Sequence, residues 1–488
     1  MELPGAPGRQ HARTKIIATL GPASAAPSVL ESLMRCGADA FRVNFSHTDH
    51  ERAAQWVREI VRLRRELGRP VAILGDLRGP RLRLGRMPDT RSLVAGEQVT
   101  LVAAPGAEPP DIPVDYPDFA KDVQPGHRVR VRDGRAEMVV LRVAGSRALC
   151  QVTQGAEIDS NQGVNLPDTH VSAPILSERD RADIAFAVAH GLDWLAISFV
   201  RSARDVIEVR DEVRRRRGDL LVMAKVEHPQ ALDNLDEILE VSDAVMVARG
   251  DLAVEMGHER VPIAQKRIIS RAIEKATPVV TATQMLESMI QQPEPTRAEV
   301  SDVANAVIDG TDAVMLSGET AVGLHPEASL RMMLRIVSAT EAPLFDGAER
   351  LRPELRHQGR RGGAVEMATV NAGVTAAQGA AARLLLAFTE TGHTAMLCSS
   401  FRFKLPIVGL TSNERSFHRM ALYWGVLPVL MRKAHSSAEM YRRASETLQS
   451  LGWLQPQDRV VALTGTFSQS GHTNTVRLLQ VEQLITES

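Results

Sequence analysis

A chain of 488 residues exceeds what one ordinary hydrophobic core serves, so two or three domains are expected. Its 58 basic and 59 acidic residues nearly cancel, which removes any global electrostatic draw toward nucleic acid or an anionic membrane. Three scattered cysteines, Cys36, Cys150 and Cys398, exclude a disulfide framework or a Cys-rich zinc site and point to a reducing, cytoplasmic compartment; no apolar run approaches the ~18 residues of a membrane span, and MELPGAPGRQHA lacks a signal peptide's apolar stretch.

In chain order, residues 1–11 read as a flexible tail. Short apolar runs then alternate with longer helical patterns: TKIIATL, DAFRVNF, PVAILGDL, DWLAISFV, LLVMAKVE, DAVMVARGDL, PVVTATQM and DAVMLSG. Eight such runs predict a closed (β/α)8 TIM barrel over 12–86 and 170–340. Ser177 and Asp180 fit a capping box, and Gly68, Gly191 and Gly218 fit helix stops. The connection 87–169 is rich in Pro and Gly, with short alternating segments such as HRVRVRDG and RALCQVTQG, which predicts an inserted small β-barrel lid domain. After LRPELRHQGRRGG, read as an exposed joint, one helix pattern and the runs RLLLAFT, LPIVGLT and DRVVALTG predict a C-terminal α/β domain over 341–488.

Polar residues cluster at the ends of these runs. Arg42, Asn44 and Ser46 end the second, Asp76 to Arg83 follow the third, and Lys225 and Glu227 end the fifth. Gly250 and Asp251 follow the sixth, Thr283 ends the seventh, and Ser317 to Glu319 end the eighth. In a barrel they converge on the face where such enzymes keep their active sites. Strand alternation puts Lys225 and Glu227 on one side. Glu227 and Asp251 can then offer oxygens to one hard divalent cation, Mg2+ or Mn2+, with the Lys225 ammonium beside it. A metal with fixed cations suits phosphoryl transfer. The stretch GDLRGPRLRLG (75–85) adds three arginines beside one aspartate.

The chain resembles the pyruvate kinases over nearly its whole length, on RTKIIATLGPAS, FRVNFSH, GDLRGPRLR, GVNLP, AKVEHP, VMVARGDLAVE, VTATQMLESMI and PTRAEVSDVANAVIDGTDAVMLSGETA. The resemblance implies transfer of a phosphoryl group from phosphoenolpyruvate to ADP, giving pyruvate and ATP. Carried over by position, it makes Glu227 and Asp251 metal ligands and Lys225 the lysine that stabilises the transition state. Gly250, Asp251 and Thr283 become the holders of the substrate carboxylate, and Arg42 grips the phosphoryl group. Arg42, His47 and Arg83 line the nucleotide phosphates. Thr283, Ser317 and Glu319 surround the side from which the enolate is reprotonated, the donor being one of them or a water. A homotetramer is implied as well.

Two departures from the family pattern stand out. Where many members carry Asp-Thr-Lys-Gly-Pro-Glu-Ile-Arg and hold K+ with Asn, Ser, Asp and Thr, this chain keeps Asn44, Ser46 and Asp76 but has Leu77 and Arg81. Arg81 is expected to replace K+ as a fixed cation, the alternative being a solvent-facing Arg81 with K+ still bound. In DSNQGVNLP, Gln162 stands where the family usually has Lys, which removes a charge from the nucleotide side. FTETGHTAM (388–396) resembles the family's effector loop, with Thr389, Thr391, Gly392, His393 and Thr394 facing a sugar phosphate and SQSGHTNT (468–475) closing over it; a plain helix cap is the alternative. A metal-dependent barrel lyase and a catalytically silent sensor remain rival readings.

Overall fold

The computed structural model describes residues 12–104, 107–345, 363–465 and 473–482. The expected tail at 1–11, most of the joint around 346–362 and the first part of SQSGHTNT lie outside the described residues. All eight apolar runs form strands: β1 (Lys15–Thr19), β2 (Ala40–Asn44), β3 (Ala72–Asp76), β4 (Trp194–Ile197), β5 (Leu221–Val226), β6 (Ala244–Ala248), β7 (Val279–Ala282) and β8 (Ala313–Leu316). Each pairs in parallel with the next, and β8 pairs with β1 (Lys15 opposite Ala313), which closes the barrel. Most are buried throughout, which is why they read as unbroken apolar runs.

The helix stops follow two different physical routes. Gly68 caps His50–Leu67 in the left-handed region (φ 60°). Gly218 does not act this way: Arg217 takes the positive φ (56°) after Ala203–Arg215, and a Cβ on Gly218 would stand 2.5 Å from Val188 Cγ2. That glycine is a close-packing residue. The Ser177–Asp180 capping box opens Glu178–Ala189.

Between β3 and β4 the chain leaves the barrel to form a six-stranded sheet whose strands lie within 98–165. Its core includes Leu84 and Ala173, so the packing of this lid reaches a few residues beyond 87 and 169 on either side. The C-terminal sheet has five strands in the order Val426–Leu430, Ile407–Thr411, Leu384–Phe388, Arg459–Gly465, Thr473–Gln480, the last antiparallel. This domain packs on the barrel floor, opposite the catalytic rim. Trp194, the first residue of β4, meets Tyr423 edge to face at 6.2 Å. Arg402 forms a two-pronged ion pair with Asp312, just before β8 (3.0 and 2.7 Å).

Candidate active site

At the C-terminal rim, charges alternate across three strands. Arg42 Nε of β2 donates to Asp76 Oδ2 of β3 at 2.6 Å, and Asp76 Oδ1 lies 3.5 Å from Lys225 Nζ of β5. The Lys225 ammonium also sits 2.8 Å from Glu227 Oε1 and donates to Ser198 Oγ at 2.7 Å. Burial opposes the charge on Asp76, but Lys225 and Arg42 outweigh it and hold the carboxyl below its usual range. Burial likewise opposes the Lys225 charge, yet Asp76 and Glu227 keep its pKa above the ordinary lysine value. Lys225 is therefore a fixed ammonium.

Glu227 is fully buried, and burial pushes it up to about 7 even with Lys225 pulling it back; Asp251 adds to the push. Its Oε2 accepts from Phe199 N (2.7 Å), a residue held at φ 58°. Its Oε1 meets the Lys225 ammonium at 2.8 Å. A buried carboxylate next to a second carboxylate fits a divalent cation. Among the described residues no cluster of three or more His, Cys, Asp or Glu ligands exists, so water and substrate oxygens must complete the shell.

Helix Arg249–Met256 starts at the end of β6, so the backbone N–H groups of its first turn face the rim. Gly250 N donates to Thr283 Oγ1 at 2.9 Å. Thr283 and Gln284 both hold positive φ (66° and 52°), and the Arg249 guanidinium fixes them. It donates to the carbonyls of Thr283 (2.6 Å) and Gln284 (3.1 Å) while pairing with Asp302 at 2.6 Å. Sequence reading passed over Arg249, Ser198 and Phe199. The only signal for Arg249 was a charge inside an otherwise apolar run.

Ser317 Oγ is buried without a partner at the end of β8. Glu319 is fully buried, and its two oxygens accept from Leu286 N (3.0 Å) and Ser317 N (2.7 Å), so it shapes the rim from behind.

The arginines of 78–83 surround His47, whose pKa is lowered first by burial and then by Arg42, Arg78, Arg81 and Arg83. Arg83 Nη1 donates to Asn161 O (2.7 Å) and its Nε is buried without a partner. The Arg81 guanidinium bonds lid residue Asp133 (3.0 Å) and lies 3.9 Å from Asp251. Asn44 Oδ1 accepts from Ser46 N (3.0 Å), and Leu77 is buried in the barrel shell, offering no hydroxyl. Gln162 Oε1 is buried without a partner.

In the C-terminal domain, Thr389 Oγ1 accepts from Gly392 N (2.9 Å), and Thr394 and Thr473 share a buried hydroxyl contact of 2.6 Å. His393 faces Glu366 at 3.5 Å, and Thr391 is exposed.

Guanidinium groups crowded round an imidazole, beside two carboxylates and a buried ammonium, have a use when oxygen-rich anions enter between them. A barrel with that rim under a lid defines a phosphotransferase. The comparisons agree and narrow the class. Family models described as the pyruvate kinase barrel domain and the pyruvate kinase alpha/beta domain match residues 11–330 and 367–479. A pyruvate kinase of Agrobacterium vitis is 39% identical, covering 97% of this chain and 99% of its own; one of Corynebacterium glutamicum is 40% identical, covering 97% and 98%. The crystal structure of a pyruvate kinase from Cryptosporidium parvum superposes with a TM-score of 0.88 at 31% identity, covering 96% of each chain. The chain belongs to the pyruvate kinase family, whose members move a phosphoryl group between phosphoenolpyruvate and ADP. Among the described residues no helix is long and apolar enough to cross a membrane.

Proposed function

We propose that the rim performs this transfer with the following division of work. Glu227 and Asp251 hold a divalent cation, Mg2+ or Mn2+, which neutralises phosphoryl and enolate oxygens when bound. The substrate carboxylate takes the N–H groups of Gly250 and Asp251, with the Thr283 hydroxyl turning to meet it. Arg42 and Lys225 grip the phosphoryl group. As the bond from phosphorus to the enol oxygen breaks and a bond to the terminal ADP oxygen forms, Lys225 stabilises charge on the transferring group and on the enolate left behind. The enolate carbon takes its proton from the side occupied by Thr283 and Ser317, which Glu319 keeps in place. His47 and Arg83, with Arg42, receive the nucleotide phosphates. The observation that carries the reading is the Arg42–Asp76–Lys225–Glu227 chain, which keeps a buried ammonium charged beside an oxygen site.

The transfer proceeds without K+. Asp76 is already neutralised by Arg42 and Lys225, Leu77 has no side-chain oxygen to offer, and Arg81 brings permanent charge to the Asp251 side. Two further readings rest on the family: a sugar phosphate effector at Thr389, Thr391, Gly392, His393 and Thr394, and a homotetramer in the cytoplasm. The test is pyruvate formation from phosphoenolpyruvate and ADP with Mg2+, in buffer free of Na+ and K+, then with K+ added. Full activity without K+ is expected, with K+ activation appearing in Arg81→Glu. A variant as indifferent to K+ as the wild type would remove the role of Arg81, and inactivity in both buffers, with sugar phosphates supplied, would remove the reaction.

A further inference from the structure

The lid segment that returns to the barrel is gripped by residues that follow the two candidate metal carboxylates in the chain, one of them directly and the other a helical turn later. Asn165 Nδ2 donates to Glu255 Oε1 at 2.6 Å, with both side chains buried. Glu255 lies one turn beyond Asp251 on the same helix, Arg249–Met256. His228 directly follows Glu227. Its Nδ1 accepts from Gln230 N (3.1 Å), which leaves the proton on Nε2, and Nε2 faces Leu166 O at 3.4 Å and Glu255 Oε2 at 3.8 Å. The lid residue Arg130 adds a bond to Val254 O (2.5 Å) while pairing with Glu137 of its own sheet (2.7 Å). Glu255 Oε2 and Asn165 Oδ1 have no further partner, and they border a cavity of about 40 Å³ lined also by Arg81, Phe199 and Arg201. That is room for a few waters rather than a ligand.

We infer that Glu255, with Asn165 and His228, is a latch that couples lid closure to occupation of the metal site, Glu255 being a positioning residue. A cation held between Glu227 and Asp251 fixes β5 and the first turn of the helix. Those elements carry His228 and Glu255, so the grip on Asn165 and Leu166 tightens. Lid order and metal affinity must then depend on each other by the same factor.

This inference rests on the phosphotransferase reading, but its test does not use turnover. Hydrogen exchange of the lid strands Arg128–Val131 and Val164–Asn165 is compared without metal and with Mg2+ alone, in full-length wild type, N165A, E255A, E255Q and N165A/E255A. Mn2+ affinity is measured alongside by electron spin resonance. In wild type, Mg2+ is expected to slow lid exchange about tenfold, equivalent to ~1.4 kcal/mol. N165A and E255A should lose the slowing and bind Mn2+ about tenfold more weakly, and the double variant should be no worse than either single one. E255Q, whose amide oxygen still accepts from Asn165, should behave as wild type. If E255A fails to fold, N165A against E255Q still decides the matter. Undiminished slowing in N165A, or additive losses in the double variant, would overturn the latch. A wild type that binds Mn2+ with the expected lid response but forms no pyruvate would overturn the reaction and leave the latch standing.

Discussion

Replacing Arg249 by Met keeps the aliphatic stem and removes the guanidinium that holds the end of β7. Two non-glycine residues there, Thr283 and Gln284, sit in the left-handed region, at a cost of roughly 1–2 kcal/mol each. The offset comes from charged hydrogen bonds to their carbonyls, each contributing about 1.5–3 kcal/mol. Without them the turn relaxes toward negative φ and the Thr283 hydroxyl leaves Gly250 N, losing one contact to the substrate carboxylate. A loss of that size is about 10- to 100-fold in kcat/KM for phosphoenolpyruvate. The KM for ADP should change by less than about twofold, since the nucleotide side is held by other residues. The assay is steady-state kinetics with each substrate varied, beside urea unfolding to show that the variant is folded. Arg249→Lys keeps the charge but not the fork, and should fall between the two. A folded R249M with wild-type kcat/KM for phosphoenolpyruvate would refute the argument that the strained turn depends on Arg249.

Burial, reinforced by Arg64 and Arg65, lowers the pKa of His418 to about 2, against 6.5 in the unfolded chain. The unfolded state therefore binds the extra proton below pH 6.5, so this stability is complete above that pH and is lost as pH falls toward 2. The loss from this one group is about 1.4 kcal/mol by pH 5.5, and urea titrations at pH 7.5 and 5.5 should show His418→Gln losing correspondingly less than wild type. Gly21→Ala would place a Cβ 2.3 Å from Ala321 O, a backbone atom that cannot step aside, and should cost at least about 1–3 kcal/mol in the same unfolding assay. Arg402→Met leaves the buried Asp312 carboxylate without its guanidinium and should destabilise the junction by about 3–5 kcal/mol, read as earlier proteolysis between barrel and C-terminal domain.

The barrel was legible because strands buried on both faces appear as apolar runs, and because charged residues such as Lys225 and Glu227 gather toward the C-terminal ends of those runs. The lid was legible from the two-residue alternation of RVRV and RALCQVTQ. Val426–Leu430 was not: Pro428 argues against a strand unless the strand lies at a sheet edge, as this one does. Nor was the antiparallel Thr473–Gln480, whose polar start masks its pairing. At the site, residue types were readable and partners were not. Arg81 was read from its motif position, which does not encode its contacts with Asp133 and Asp251 or the approach of Gly163 to its guanidinium. Arg249 and Glu255 act on backbone carbonyls and on a lid residue 90 positions away, relations that spacing does not encode.

The apolar filling of the barrel floor has a consequence for how such a chain can be inherited. Ile17, Leu74, Trp194, Met223 and Met315 from inside the barrel belong to the same continuous core as Val370, Leu385, Met420 and Tyr423 of the C-terminal domain. The two matched regions look like interchangeable modules on a linear map, yet part of each one's hydrophobic interior is shared with the other. A barrel cut loose would open a greasy mouth to water and associate through it. Shedding or swapping the second module therefore demands that the first be repainted with polar side chains at the same time, which ties the histories of the two halves together.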